Sequence, residues 1–272
     1  MNILVSGASG FFGNNFIRYA SKKGHYFYAI SRYKQKKIKN VKWLIGPLDK
    51  DHEEFKKCEV LIHFASAGVA NRNLPYKKAL DTNVIKSSKF LINASKAGCL
   101  KWIIIGSSSE YGDTLKLGKP VNINSPRLPV CNYGITKSEF SDLVKILSKN
   151  LNARCRVMRT FPVYGSNENK KRLVPSLLKA IKEKKNFTIN NPMEIRDFSR
   201  IDDIVKKILK AVRFPKKIYK SYEVWHLASG NAVKVSEFVK YMCKRNNYKK
   251  KIINKKNKLS LFHHISDKKS IW

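Results

Sequence analysis

Ile3-Leu4-Val5-Ser6-Gly7-Ala8-Ser9-Gly10-Phe11-Phe12-Gly13 stands at the head of the chain, and its reading decides the fold. Three apolar residues in a row predict a short buried strand, and the glycines end it. Glycine lets the backbone turn tightly and approach a pyrophosphate with no Cβ in the way. The helix that follows supplies unpaired N–H groups and a partial positive charge at its start. A glycine pattern alone is a weak signal. Set between a strand and a helix, it predicts a dinucleotide-binding turn.

The rest of the chain repeats that strand-and-helix alternation. The spacing predicts a first helix over 16–23, closed by Gly24, and strands over 26–30, 41–45, 59–65, 102–106 and 155–159. Helical spacing covers 81–97 and 133–147. Short apolar strands alternating with helices imply an α/β fold, a Rossmann-like doubly wound parallel sheet with helices on both faces. In such a sheet ligands bind at the carboxyl ends of the strands, so the chemistry should follow those strands directly.

Three stretches answer to that expectation. The second strand ends Ala29-Ile30-Ser31-Arg32-Tyr33-Lys34. A dinucleotide fold usually places a carboxylate there for the ribose 2′-hydroxyl. None is present, and the planar fork of Arg32 suits a 2′-phosphate, so NADP is the expected cofactor, with NAD the alternative. The bland reading of Arg32 is one more surface charge in a basic chain. Tyr133-Gly134-Ile135-Thr136-Lys137 puts a phenol and an ammonium on one helical face. A phenol with a pKa of about 10 is a poor base at neutral pH. A neighbouring cation favours the phenolate, so Tyr133 could exchange a proton with a sugar hydroxyl while hydride moves. Ser107-Ser108-Ser109-Glu110-Tyr111-Gly112 follows an apolar strand, where a serine can orient a reacting hydroxyl or carbonyl. Alone, these would be a surface pair and a serine-rich loop.

Taken in order, Gly7-x-x-Gly10-x-x-Gly13, His63-Phe64-Ala65, Asn83, the Ser107 cluster with Tyr111-Gly112, and Tyr133-x-x-x-Lys137 resemble the extended short-chain dehydrogenase/reductases, also called the NAD-dependent epimerase/dehydratase family. The resemblance continues through Arg159-Thr160-Phe161-Pro162-Val163-Tyr164-Gly165, Val174-Pro175, Arg196-Asp197-Phe198 with Asp202-Asp203, and His226-Leu227-Ala228-Ser229-Gly230, covering nearly the whole chain. It implies Tyr133 as general acid/base, Lys137 as its modulator and a ribose ligand, and Ser107 as the catalytic serine. Gly7, Gly10, Phe11, Phe12 and Gly13 would line the pyrophosphate, Leu48 the adenine and Ala65 the nicotinamide ribose. Pro162 falls along the cofactor, where many members carry an asparagine that contacts the substrate diphosphate. Ser108, Ser109 and Arg196 would face the substrate, Arg196 gripping its diphosphate unless it pairs with Asp202 or Asp203 instead. Those two aspartates suit a helix start. Asn83 matches a largely structural helix residue.

The implied activity is 4-keto reduction or C4 epimerisation of a nucleotide-diphosphate sugar, in deoxysugar or surface-polysaccharide biosynthesis. The family's 4,6-dehydratases carry Asp-Glu directly after the catalytic residue. Here Ser108-Ser109 stand there and Glu110 is one step out of register, which disfavours dehydration. The expected dinucleotide-binding domain covers 1–165 plus about 196–230. A small substrate lobe would take about 166–195 and 231–272. Relatives dimerise through a four-helix bundle of the helices that here begin near Asp81 and Tyr133, so a homodimer is the expected assembly.

Composition sets the remaining bounds. The chain has 272 residues, 56 Lys+Arg against 19 Asp+Glu, and a formal net charge of +37. The lysines are spread along the sequence, as on solvated faces, so a dedicated nucleic-acid surface is not the expectation. The tract from Lys249 to Lys258 is the densest candidate for a polyanion. Some family members have lost catalysis, so a catalytically silent dinucleotide-binding protein that holds nucleic acid on its basic surface stands as the alternative function. Five scattered cysteines predict neither a disulfide framework nor a metal site. The N-terminus lacks the pattern of a signal peptide, and no apolar run is long enough to span a bilayer, so the expected location is cytoplasmic.

Overall fold

The computed structural model describes residues 1–69, 74–214, 221–255 and 261–272. Its strands are β1 (Asn2–Ser6), β2 (Tyr26–Ser31), β3 (Val41–Ile45), β4 (Val60–His63), β5 (Lys101–Ser107), β6 (Arg154–Thr160), β7 (Val163–Tyr164), β8 (Phe187–Ile189), β9 (Ile195–Asp197), β10 (Ser199–Arg200), β11 (Tyr222–Leu227), β12 (Ala232–Lys234) and β13 (Ile252–Asn254). Its α-helices are α1 (Phe11–Ala20), α2 (Tyr76–Leu80), α3 (Ser87–Lys96), α4 (Asn132–Asn150), α5 (Leu173–Lys182), α6 (Ile201–Ala211) and α7 (Val235–Arg245). Seven strands form the central sheet in the order β11-β6-β5-β4-β1-β2-β3. Every neighbouring pair in it is parallel. The strand order reverses between β1 and β4, which opens a crevice at their carboxyl ends.

Alternation along each strand feeds two cores, one on each face of the sheet. Ile3 and Val5 join Phe16, Ile17 and Ala20 of α1 and Ile201, Ile204, Val205 and Ile208 of α6. Leu4 points the other way, to Phe90, Leu91 and Ala94 of α3 and Phe140 and Val144 of α4. The doubly wound expectation holds. A separate cluster lies outside the sheet, where Leu177, Ile189, Val235, Val239 and Cys243 join α5, β8 and α7. Here β12 pairs antiparallel with β9, and β13 pairs parallel with β8. The basic tract begins near β13, and its residues 256–258 lie outside the described residues. No helix among the described residues is long and apolar enough to cross a membrane.

Two helix starts differ from expectation. The first helix begins at Phe11 rather than residue 16, because Gly13 is part of the helix and not of the turn. The second runs from Tyr76 through a π-helical stretch, Asp81–Lys86, into α3. That stretch slips the 3.6-residue period, which hides the first turns from a periodicity search. The π-turn also aims Asn83, which is 2% exposed. Asn83 Nδ2 donates to Ala67 O at 3.0 Å and to Thr136 Oγ1 at 2.9 Å, and its Oδ1 accepts from Ala67 N at 2.7 Å. It thereby clamps the loop after β4 to α4. Replacing Asn83 with alanine strands these buried groups and should cost about 2–3 kcal/mol. Denaturant unfolding of Asn83→Ala against the parent chain measures that loss.

Candidate active site

The turn after β1 is built so tightly that only glycine fits at two places. Gly7 has φ +64, and a Cβ there would come within 2.5 Å of Ala65 N. A Cβ on Gly13 would come within 2.3 Å of Gly7 O. Closing that gap seats the start of α1 directly behind the turn. No side chain caps α1 and no acidic residue lies in its first turn, so its N-terminal field is left to an anion. The Asn15 side chain donates to Phe11 O at 2.7 Å and to Ser166 O at 2.8 Å, tying this helix start to the loop beyond β7. The cradle fits a dinucleotide pyrophosphate.

The end of β5 is fixed from below. Glu110 is fully buried and accepts from Ser107 N at 2.8 Å, Arg159 Nε at 2.9 Å and Ser141 Oγ at 2.9 Å. The Ser107 side chain in turn accepts from Ser109 N at 3.1 Å. Arg159 NH1 donates to Tyr111 Oη at 2.9 Å. The Tyr111 hydroxyl lies 2.6 Å from His226 Nε2, and His226 Nδ1 lies 2.8 Å from Ser266 Oγ. Burial opposes charge on Arg159, but Glu110 and Tyr111 outweigh it and raise its pKa further. Burial, reinforced by Arg159, pushes His226 down to about 3. Burial raises Tyr111.

Helix α4 brings the expected pair to the serine loop. Cys131 caps it, its Sγ accepting from Gly134 N at 3.5 Å. Lys137 is 3% exposed, and its Nζ donates to Ile105 O at 2.6 Å. Burial pulls its pKa down to about 8, against Glu110. Tyr133 is half-buried, with the Ser107 and Ser66 hydroxyls placed to favour its phenolate. Burial raises its pKa, and those two hydroxyls only partly reverse the shift. The ammonium is turned onto the β5 backbone, and the protein by itself holds Tyr133 as the phenol.

A cavity of about 420 Å³ opens between these elements. Gly7, Gly10, Phe11, Phe12, Ser107, Ser108, Ser109, Tyr133, Lys137, Pro162 and Arg196 all lie on its wall. Gly13 is packed beneath the turn. Ala65, whose backbone crowds Gly7, Arg32 and Leu48 are off the wall. Arg32 is exposed just past β2, 5.7 Å from the Tyr33 ring centroid. Half-buried Leu48 packs against the core on the α3–α4 side. A second cavity of about 670 Å³ shares Pro162, Glu168, Asn169, Arg172 and Arg196 with the first.

Arg196 pairs with Glu194, both its Nε and NH2 meeting Oε2, and not with Asp202 or Asp203. Those aspartates occupy the first turn of α6, Asp202 paired with Arg200 and Asp203 with Lys206. Sequence reasoning missed Ser66, Glu168, Arg172, Glu194 and His264 as wall residues. Ser108 Oγ lies 2.8 Å from His264 Nδ1, a contact across 156 positions that no local pattern announces. Glu168 and Arg172 precede α5, so helical spacing does not pair them in the sequence.

The family model described as "NAD dependent epimerase/dehydratase family" matches residues 3–226. Among curated proteins, the chain is 26% identical over 252 residues to the CDP-abequose synthase of Salmonella typhimurium, covering 88% of this chain and 79% of that one. It is 24% identical over 274 residues to protein CapI of Staphylococcus aureus, covering 88% and 81%. Among solved structures, the UDP-glucose 4-epimerase of Thermotoga maritima with UDP-glucose superposes with a TM-score of 0.83 at 22% identity, covering 98% of this chain and 90% of that one. The UDP-glucuronic acid 4-epimerase of Bacillus cereus, in complex with UDP-glucuronic acid and NAD, gives 0.85 at 20% identity with the same coverage.

Glu110→Gln leaves Arg159 buried beside an uncharged partner and should cost about 3–5 kcal/mol in denaturant unfolding. His226 supplies a pH test. Its folded pKa lies below its unfolded value, so the unfolded chain binds the proton first. Its contribution to stability is complete above about 6.5 and is lost as pH falls toward about 3. Thermal melts across that window should show a shallower acid slope for His226→Asn.

Proposed function

The chain belongs to the NAD-dependent epimerase/dehydratase family, and from that premise we propose that it transfers hydride at C4 of a nucleotide-diphosphate sugar, working as a 4-keto reductase with NADPH. The convergence of Ser107, Tyr133 and Lys137 on one cavity wall with the Gly7 turn is the observation that carries this reading. When bound, the nicotinamide cofactor supplies the hydride. The Gly7–Gly10 turn and the start of α1 hold the pyrophosphate. Lys137, braced on Ile105 O, reaches the cofactor ribose. Ser107 orients the sugar carbonyl, and Tyr133 gives its proton to the carbonyl oxygen. Arg196, its fork set by Glu194, holds the substrate diphosphate. The sugar occupies the smaller cavity and the nucleotide the larger, in a lobe formed by about 166–195 and 231–272.

Glu110 supports reduction over dehydration, because its carboxylate is committed to Arg159 and Ser107 and stands off the cavity wall. C4 epimerisation is the same chemistry run in both directions on one sugar, and the epimerases among the relatives favour it as the second reading. The nucleic-acid-binding alternative is not favoured, since the relatives are enzymes. Ile85, 54% exposed, and Ile146, 57% exposed, lie on the helices assigned to a dimer face.

Tyr133→Phe should lower turnover at least about 100-fold while dinucleotide binding stays intact. Fluorescence titration should show NADPH preferred over NADH, and Arg32→Ala should weaken NADPH about tenfold with little effect on NADH. Tightly retained NAD in the purified protein would instead mark an epimerase and contradict the role given to Arg32.

A further inference from the structure

A buried carboxylate oxygen without a hydrogen-bond partner is costly unless something beyond the protein satisfies it. Of the buried side-chain atoms without a partner among the described residues, Glu168 Oε2 is the one belonging to a cavity-wall residue. The Glu168 side chain is 4% exposed, and its other oxygen, Oε1, lies 2.9 Å from Arg172 Nε in an ion pair. Glu168 and Arg172 line both cavities, so Glu168 sits where the space beside Ser107 and Tyr133 meets the larger one.

The local charge is as informative as the orphaned oxygen. In a chain of net +37, the junction carries Arg172 and Arg196, and each is already matched by a carboxylate, Glu168 and Glu194. A carboxylate accepts and does not donate, so its natural complement is a hydroxyl. A guanidinium would otherwise be the preferred partner of an acidic sugar.

Building on the nucleotide-sugar reading, we infer that Glu168 is a specificity residue: Oε2 accepts a hydrogen bond from a hydroxyl of the glycosyl group, and by holding Arg172 the same carboxylate turns away sugars that carry an acid. A neutral hexose satisfies the orphaned oxygen. A uronic acid brings a like charge toward it, and Arg172 Nε is already paired with Oε1.

Calorimetric titration of UDP, UDP-glucose and UDP-glucuronic acid into the full chain, with saturating dinucleotide, tests this. The two sugars differ only in a neutral or acidic C6 group. The parent chain should bind UDP-glucose about tenfold or more tighter than UDP-glucuronic acid. Glu168→Gln frees Arg172, so it should weaken UDP-glucose and tighten UDP-glucuronic acid, collapsing the ratio about tenfold or more. Equal binding of the two sugars by the parent chain overturns the assignment. So does an unchanged ratio in a Glu168→Gln protein that melts like the parent. Should that variant fail to fold, the parent ratio decides alone. If UDP, CDP, GDP and dTDP all fail to bind, the nucleotide-sugar reading falls as well; if UDP binds and the ratio is one, Glu168 alone is misassigned.

Discussion

The buried pair of Glu110 and Arg159 is the interaction on which the rest of the site depends. Two charges out of water are tolerated only when every lone pair and proton is met. Here Glu110 meets Arg159 on β6, Ser107 N at the end of β5 and Ser141 on α4. Arg159 continues to Tyr111, and Tyr111 to His226 on β11 and on to Ser266. One connected network therefore sets the height of β5 against its neighbours, the angle of the serine loop, and the distance from that loop to Tyr133. A looser floor would move Ser107 relative to Tyr133, and such displacements of reacting groups are expensive in rate.

The strong basic charge takes on a simple form once the acids are located. Of only 19 acidic residues, Glu110, Glu168, Glu194 and Asp197 are buried around the site. Glu110 fixes Ser107, Glu168 and Glu194 fix the two wall arginines, and Asp197 accepts from Ser229 N at 2.7 Å and Gly230 N at 2.8 Å. The lysines are mostly left at the surface. Among the described residues Lys137 is the exception, held dry against Ile105 O. The interior is close to charge balance while the exterior is strongly positive. That division fits lysine drift on solvated faces better than a surface shaped for one polyanion.

Much of this was legible before any coordinates. The Gly7 turn, the strand alternation and the order of Ser107, Tyr133 and Lys137 are local patterns, and local patterns survive translation into sequence. The parallel sheet followed from them. The starts of the first two long helices did not, because a glycine inside α1 and a π-turn before α3 break the period that reveals a helix. The burial of Tyr133 and the direction in which Lys137 points were not readable either, since both depend on the fold. The partner of Ser108 lies 156 positions away, and no spacing rule selects it; the partner of Arg196 is Glu194, two residues before it. Glu168 lies in a non-helical stretch before α5 and showed no pattern. Its orphaned oxygen is a property of the folded wall.

The most direct test of the central claim is mass spectrometry of a 4-keto nucleotide sugar incubated with the protein and NADPH deuterated at the nicotinamide C4. One deuterium placed on sugar C4, and its absence with Tyr133→Phe, is the result this account predicts. A substrate returned unlabelled from a protein that demonstrably binds both NADPH and the sugar would contradict it.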